Sequence, residues 1–190
     1  MKKRKIKVGD VLFVIFVALL IIPQTRTPIQ VAINSVKVQL FTPSALDMED
    51  RTQLEPFTYR LTSLKGTPSP VEIGRGEVTF LSYWATWCPP CIAELPSIQK
   101  LYADYGDKIN FVLITNENPK IIQEFLEEKQ YDIPVVLPQM ETPKVLSERS
   151  IPTNYIIDKA GQIIVKEQGA ADWNSEKVRG ILDKLIGGEF

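Results

Sequence analysis

Two cysteines constrain this chain more than any other feature. Cys88 and Cys91 are its only cysteines, and two residues separate them. The run before them, Val78-Thr79-Phe80-Leu81-Ser82-Tyr83-Trp84, is mostly apolar and rich in β-branched and aromatic types, which predicts a buried strand. After them, from Pro90 to about Tyr105, Ile92, Leu95, Ile98, Leu101 and Tyr102 recur at helical spacing. The pair therefore lies where a strand ends and a helix begins. A helix N-terminus offers free N–H groups and a partial positive charge, and both favour a thiolate. The thiolate is the nucleophile of disulfide exchange. Cys88, at the helix edge, is expected to attack, and Cys91, one turn inside, to resolve. The other readings of such a pair are half a zinc knuckle or a structural staple. A staple closing so short a loop constrains the unfolded chain little, and two cysteines cannot fill a four-ligand zinc site.

Composition removes other chemistry. The net charge is −1, so no basic field argues for nucleic acid, and none is expected as a partner. The absence of histidine excludes Cys–His pairs, histidine bases and histidine metal ligands together. No cofactor and no metal are expected.

The string from Trp84 to Pro96, Trp-Ala-Thr-Trp-Cys-Pro-Pro-Cys-Ile-Ala-Glu-Leu-Pro, resembles the TlpA/ResA group of the thioredoxin superfamily. Those are membrane-anchored thiol–disulfide oxidoreductases of bacteria. Ser150-Ile151-Pro152-Thr153 is similar to the family's cis-proline loop, and Pro96 matches the proline that bends its first long helix. The resemblance covers roughly Phe57 to Ile186. It implies an α/β, thioredoxin-like fold, with a mixed central sheet flanked by helices. It also implies that Pro152, if cis, presents backbone groups of Ile151 to a substrate strand and keeps metal from the dithiol. Glu94, in the position of a glutamate that lies near the thiols in the group, is expected to influence cysteine ionisation and to exchange a proton with Cys91. The bland reading of Glu94 is a solvated first-turn carboxylate. Trp87 and Trp84 are expected to cover the disulfide, with Trp87 an apolar docking surface and Trp84 the more core-like of the two. Ser82 departs from cytosolic thioredoxins, which carry a buried aspartate six residues before the first cysteine. Pro89 and Pro90 lack N–H groups, so the amide of Cys91 is the nearest one left for a Cys88 thiolate.

The N-terminus has its own pattern. Lys2, Lys3, Arg4, Lys5 and Lys7 precede an unbroken apolar run from Val11 to Ile22. Residues 1–23 read as a membrane anchor, single-pass in the inner membrane, with the N-terminus cytoplasmic and the remainder in the periplasm. Twelve helical residues cover only about 18 Å of a core of about 30 Å, so a cleaved signal and a secreted domain form the alternative. Residues 24–50 read as an amphipathic helix and linker. Thr27-Pro28-Ile29-Gln30 has the form of a capping box, and Ile29, Ala32, Ile33, Val36 and Leu40 recur on one face. That face suits a membrane surface or the side of the domain. Ser44 to Pro56 is polar and acidic and reads as a linker into a domain spanning residues 51–190.

Within the domain, Phe57 to Leu61 predicts an early strand, with Val71-Glu72-Ile73 as its partner. Ile109 to Thr115 predicts a central strand, Ile121 to Gln130 a helix, and Ile133 to Leu137 a short strand. Thr142 to Glu148 predicts a short helix. Asp158-Lys159-Ala160-Gly161 predicts a hairpin turn, and Val178 to Ile186 a last helix stopped by Gly187.

The expected function is a periplasm-facing reductase of exported protein disulfides. The resemblance implies a membrane thiol donor of the DsbD/CcdA kind, with cytochrome c maturation as one setting. A thiol oxidase or isomerase would use the same sulfurs in reverse. A copper-binding chaperone on the same scaffold is a further alternative, since thiolates suit Cu(I). A peroxiredoxin-like peroxidase is disfavoured, because Ala85 stands where that family places threonine.

Overall fold

A computed structural model describes residues 8–21, 23–147 and 149–189. The basic run Lys2 to Lys7, Ile22, and Glu148 at the end of the expected short helix lie outside those residues. The elements in order are α1 (Val8–Ile21), α2 (Pro23–Leu40), β1 (Phe57–Tyr59), β2 (Leu61–Ser63), β3 (Val71–Ile73), β4 (Thr79–Tyr83), α3 (Pro89–Tyr105), β5 (Asn110–Ile114), α4 (Pro119–Lys129), β6 (Val135–Pro138), a 3-10 turn (Lys144–Leu146), β7 (Thr153–Ile157), β8 (Ile163–Gln168) and α5 (Glu176–Gly187).

Six strands form one mixed sheet in the order β2-β6-β5-β4-β7-β8. β4, β5 and β6 run parallel, joined by helical crossovers, while β2, β7 and β8 pair antiparallel to their neighbours. Central strands buried on both faces explain the continuous apolar runs. Side chains alternate between two cores. Phe80, Phe111, Leu113 and Ile156 face one core, which is shared with Leu95, Ile98 and Leu101 of α3 and Ile181, Leu182 and Leu185 of α5. Leu81, Val112, Ile114, Tyr155 and Ile157 face the other, with Tyr59, Ile73 and Leu146. The α/β, thioredoxin-like architecture is the one expected.

Local details differ from expectation. The early strand divides at Arg60: β1 pairs with β3 in a separate ribbon, and β2 joins the main sheet beside β6. Residues 44–56 do not float as a linker. Leu46 N–H donates to Ile164 O and Leu54 N–H to Gly161 O, and Leu54 is buried. Gly161 is required there. It has φ +90°, and a Cβ on it would lie 2.9 Å from Leu54 O. α2 begins at Pro23, so Thr27 is not its cap and Pro28 lies inside it. A proline at the first helical position costs no hydrogen bond, whereas Pro28 forfeits one within the helix. The last helix includes Gly187, and Gly188, at φ +78°, is its left-handed cap.

Candidate active site

The site forms at the C-terminal end of β4. Trp84 N–H still donates to Ile114 O, which carries the chain to the edge of the sheet. Cys88 then caps α3. Its backbone is extended (φ −97°, ψ 103°), and its sulfur accepts the Cys91 N–H at 3.3 Å. Pro89 and Pro90 take the first two helical positions, so Cys91 is the first residue of the helix with an N–H to offer. Among the described residues it is the only donor on Cys88 Sγ. Cys88 and Cys91 are joined as a disulfide with Cα atoms 5.2 Å apart. Both are buried.

The Ile151–Pro152 peptide is cis, and Ile151 O lies 3.7 Å from Cys88 Sγ. Ile151 is part-buried and Pro152 buried. Trp87 stands out at 68% exposed, next to a cysteine that is almost covered, whereas Trp84 is buried against Phe125. Trp87, Ile151, Ser150, Glu117 and Tyr83 line part of a cleft of about 320 Å³ beside the disulfide. Pro96 lies inside α3, where its ring interrupts the backbone ladder one turn beyond Ile92.

Glu94 is not a solvated first-turn residue. It is 1% exposed, and three donors from distant segments reach it. Asn154 Nδ2 donates to Oε1 at 2.9 Å, Trp173 Nε1 to Oε2 at 3.1 Å, and Ala171 N–H to Oε2 at 3.3 Å. Burial drives its pKa up, the three donors oppose that, and the Glu167 charge adds to the rise, leaving it at about 8. The carboxyl belongs to α3, one turn past Cys91. Ser82 is also buried, and its Oγ has no hydrogen-bond partner among the described residues.

The structure adds residues that the sequence reading missed. Asn154 and Trp173 hold Glu94. Glu117 takes the Thr86 N–H at 2.6 Å and the Thr86 hydroxyl at 2.7 Å, which pins the loop just before Cys88. One signal was available for Asn154: an amide in the apolar run Thr153–Ile157 must find a partner, because buried polar groups are hydrogen-bonded.

Residues 49–185 match the Redoxin family. Over 132 residues the chain is 30% identical to the thiol-disulfide oxidoreductase ResA of Bacillus thuringiensis subsp. konkukian, an alignment covering 67% of this chain and 74% of that one. Over 127 residues it is 27% identical to sporulation thiol-disulfide oxidoreductase A of Bacillus subtilis, covering 64% of this chain and 76% of the relative. The crystal structure of StoA from Bacillus subtilis has the same fold, with a TM-score of 0.54 and 23% identity over 68% of this chain and 96% of that one.

Proposed function

The chain belongs to the Redoxin family and is a thiol–disulfide oxidoreductase of the ResA and StoA type, and from that premise we propose that it reduces disulfides of exported proteins on the periplasmic side of a membrane. The observation that carries the direction is the single N–H on Cys88 Sγ. Two prolines remove the other capping donors, so a Cys88 thiolate gains less stabilisation than at an unobstructed helix N-terminus. A less stabilised thiolate makes the reduced pair a stronger reductant.

The proposed reaction begins at Cys88, whose Sγ lies beside Ile151 O and the Cys91 N–H. Cys88 thiolate attacks one sulfur of the client disulfide. A mixed disulfide forms, and the client's other sulfur leaves as a thiolate and takes a proton. The ionised fraction of Glu94, which grows as pH approaches about 8, takes the Cys91 proton, directly or through water, and the Cys91 thiolate attacks Cys88 Sγ. The Cys88–Cys91 bond closes, the second client sulfur leaves as a thiolate and takes the proton held by Glu94, and two electrons have passed to the client. Trp87 supplies the apolar contact for the client, and the backbone of Ile151, beside Cys88 Sγ, pairs with its strand. Pro152 fixes that loop next to the sulfur.

Return to the dithiol requires two electrons from a membrane thiol donor, of the DsbD/CcdA kind by resemblance. Cytochrome c maturation is one setting for such a reductase. Among the described residues no helix is long and apolar enough to cross a membrane. The anchor reading rests on the sequence: the basic run Lys2 to Lys7 followed by the apolar run Val11 to Ile22.

The test is the reduction potential of the Cys88–Cys91 pair, equilibrated against glutathione or thioredoxin. Such motifs span about −270 to −120 mV, with about 30 mV for each factor of ten. A value near the reducing end supports the reductase. A value near the oxidising end reverses the direction and makes the protein an oxidase or isomerase.

A further inference from the structure

α2 packs against the domain with its less apolar side. The helix lies along α3, and its C-terminal end is tied down where Asp172 N–H donates to Phe41 O at 2.9 Å. The part-buried or buried residues of the helix are Ile29, Gln30, Val31, Asn34, Ser35 and Val38. Asn34 Nδ2 and Ser35 Oγ spend their donors on the helix's own carbonyls, Gln30 O at 2.8 Å and Val31 O at 2.9 Å. Ile29, Val31 and Val38 are the apolar members of that set, while the larger apolar residues of the C-terminal half point outward. Ile33, Val36, Leu40 and Phe41 are 56%, 60%, 75% and 60% exposed. At about 100° per residue, Ile33, Val36 and Leu40 fall within roughly 60° of one another, opposite Val31, Asn34 and Val38. A helix seated on a water-soluble domain normally has the reverse polarity.

Charge selects what covers this stripe. From Val11 to Leu46 the chain has no acidic residue; Arg26 and Lys37 are its only charges, and five basic residues precede it. Both side chains are exposed and flank the stripe, where long cations reach lipid phosphates. α1, directly before α2, also exposes Val8, Leu12 and Phe13.

We propose that α2 is an interfacial helix, its Ile33–Val36–Leu40 stripe seated at the headgroup–acyl boundary of an anionic bilayer while its inner side holds α3. The inference rests on the membrane attachment proposed above and goes beyond it. Attachment by an anchor alone does not set which side of the domain faces the membrane. A helix bound to lipid on one side and to α3 on the other gives the active-site helix a fixed orientation to the membrane surface. Asp172 and Trp173 extend that link to Glu94.

The experiment uses the full chain with the photo-activatable residue benzoylphenylalanine replacing Phe13, Val36 or Lys120 in turn. Each variant is first shown to retain disulfide exchange. It is then reconstituted with vesicles of phosphatidylglycerol and phosphatidylcholine, irradiated, and the adduct identified by mass. Lipid adducts are expected at 13 and 36, with the yield at 36 roughly an order of magnitude above that at 120, on exposed α4. Lipid at 13 with a second copy of the chain, or no adduct, at 36 overturns the interfacial helix and leaves the anchor standing. Lipid at neither 13 nor 36 removes both. Equal lipid labelling at 36 and 120 overturns the fixed orientation.

Discussion

The indole of Trp173 donates to the carboxylate of Glu94 at 3.1 Å, across 79 residues of sequence. The ring is simultaneously wedged edge-on against Phe80, with centroids 5.0 Å apart. Trp173 thus has two separable jobs, packing the core and stabilising charge on Glu94. Trp173→Phe keeps most of the ring and removes the donor. A hydrogen bond to a charged group is worth about 1.5–3 kcal/mol, so the Glu94 pKa should rise by roughly one to two units. The pH profile of exchange with a small aromatic disulfide should shift upward accordingly. An unmoved profile means that Glu94 is not the titrating group.

Glu94 also makes stability depend on pH in a stated direction. Its folded pKa, about 8, lies above the ordinary value of 4.5. Below the ordinary value both folded and unfolded chains carry the proton, and nothing is lost. Between the two values the folded chain retains a proton that the unfolded chain has released, so stability falls as pH rises. The slope of that contribution is at most about 1.4 kcal/mol per pH unit. Glu94→Gln removes the titration, and urea unfolding across this window should then show a flatter dependence than the parent. Parallel curves for parent and variant contradict the assignment.

Pro90 occupies the second helical position, where a cap side chain ordinarily receives an N–H. Pro90→Ala restores that donor beside Cys88 Sγ. The Cys88 pKa should fall by roughly one to two units, because the new bond is to a charged acceptor. The reduction potential should move toward the oxidising end. A thiol titration by ultraviolet absorbance reads the first change, and equilibration with glutathione the second. No change in either would show that the proline pair does not set the redox direction.

Glu117 holds the loop of Thr86 with two short bonds. Glu117→Ala leaves the Thr86 N–H and hydroxyl without that acceptor and should cost about 1–3 kcal/mol in chemical denaturation. Exchange should slow as well, since the loop positions Trp87 and Cys88. Glu117→Gln retains one acceptor oxygen and should recover part of both losses. Equal effects of the two variants would point to packing rather than hydrogen bonding.

Much of this protein was legible in its sequence, and for local reasons. The apolar run before Cys88 and the helical spacing after it depend on neighbours within a few residues. So do the missing amides of Pro89 and Pro90 and the glycine turn at Gly161. Strand Phe57–Leu61 was misread as one piece because its division at Arg60 depends on two partners, β3 and β6, that lie far along the chain. The amphipathic pattern of α2 gave a stripe but not its direction. Periodicity states which residues share a face and leaves open whether that face meets protein or lipid.

The sequence by itself determined the redox pair, its place at a strand-to-helix junction and the family to which the chain belongs, because spacing and capping are properties of contiguous residues. Only the tertiary structure decided the state of Glu94. A carboxyl can be buried only if donors converge on it, and these come from residues 60 and 79 positions away, together with the backbone of Ala171. Their meeting is fixed by the order of strands in the sheet and the seating of α3, which no short window of sequence contains.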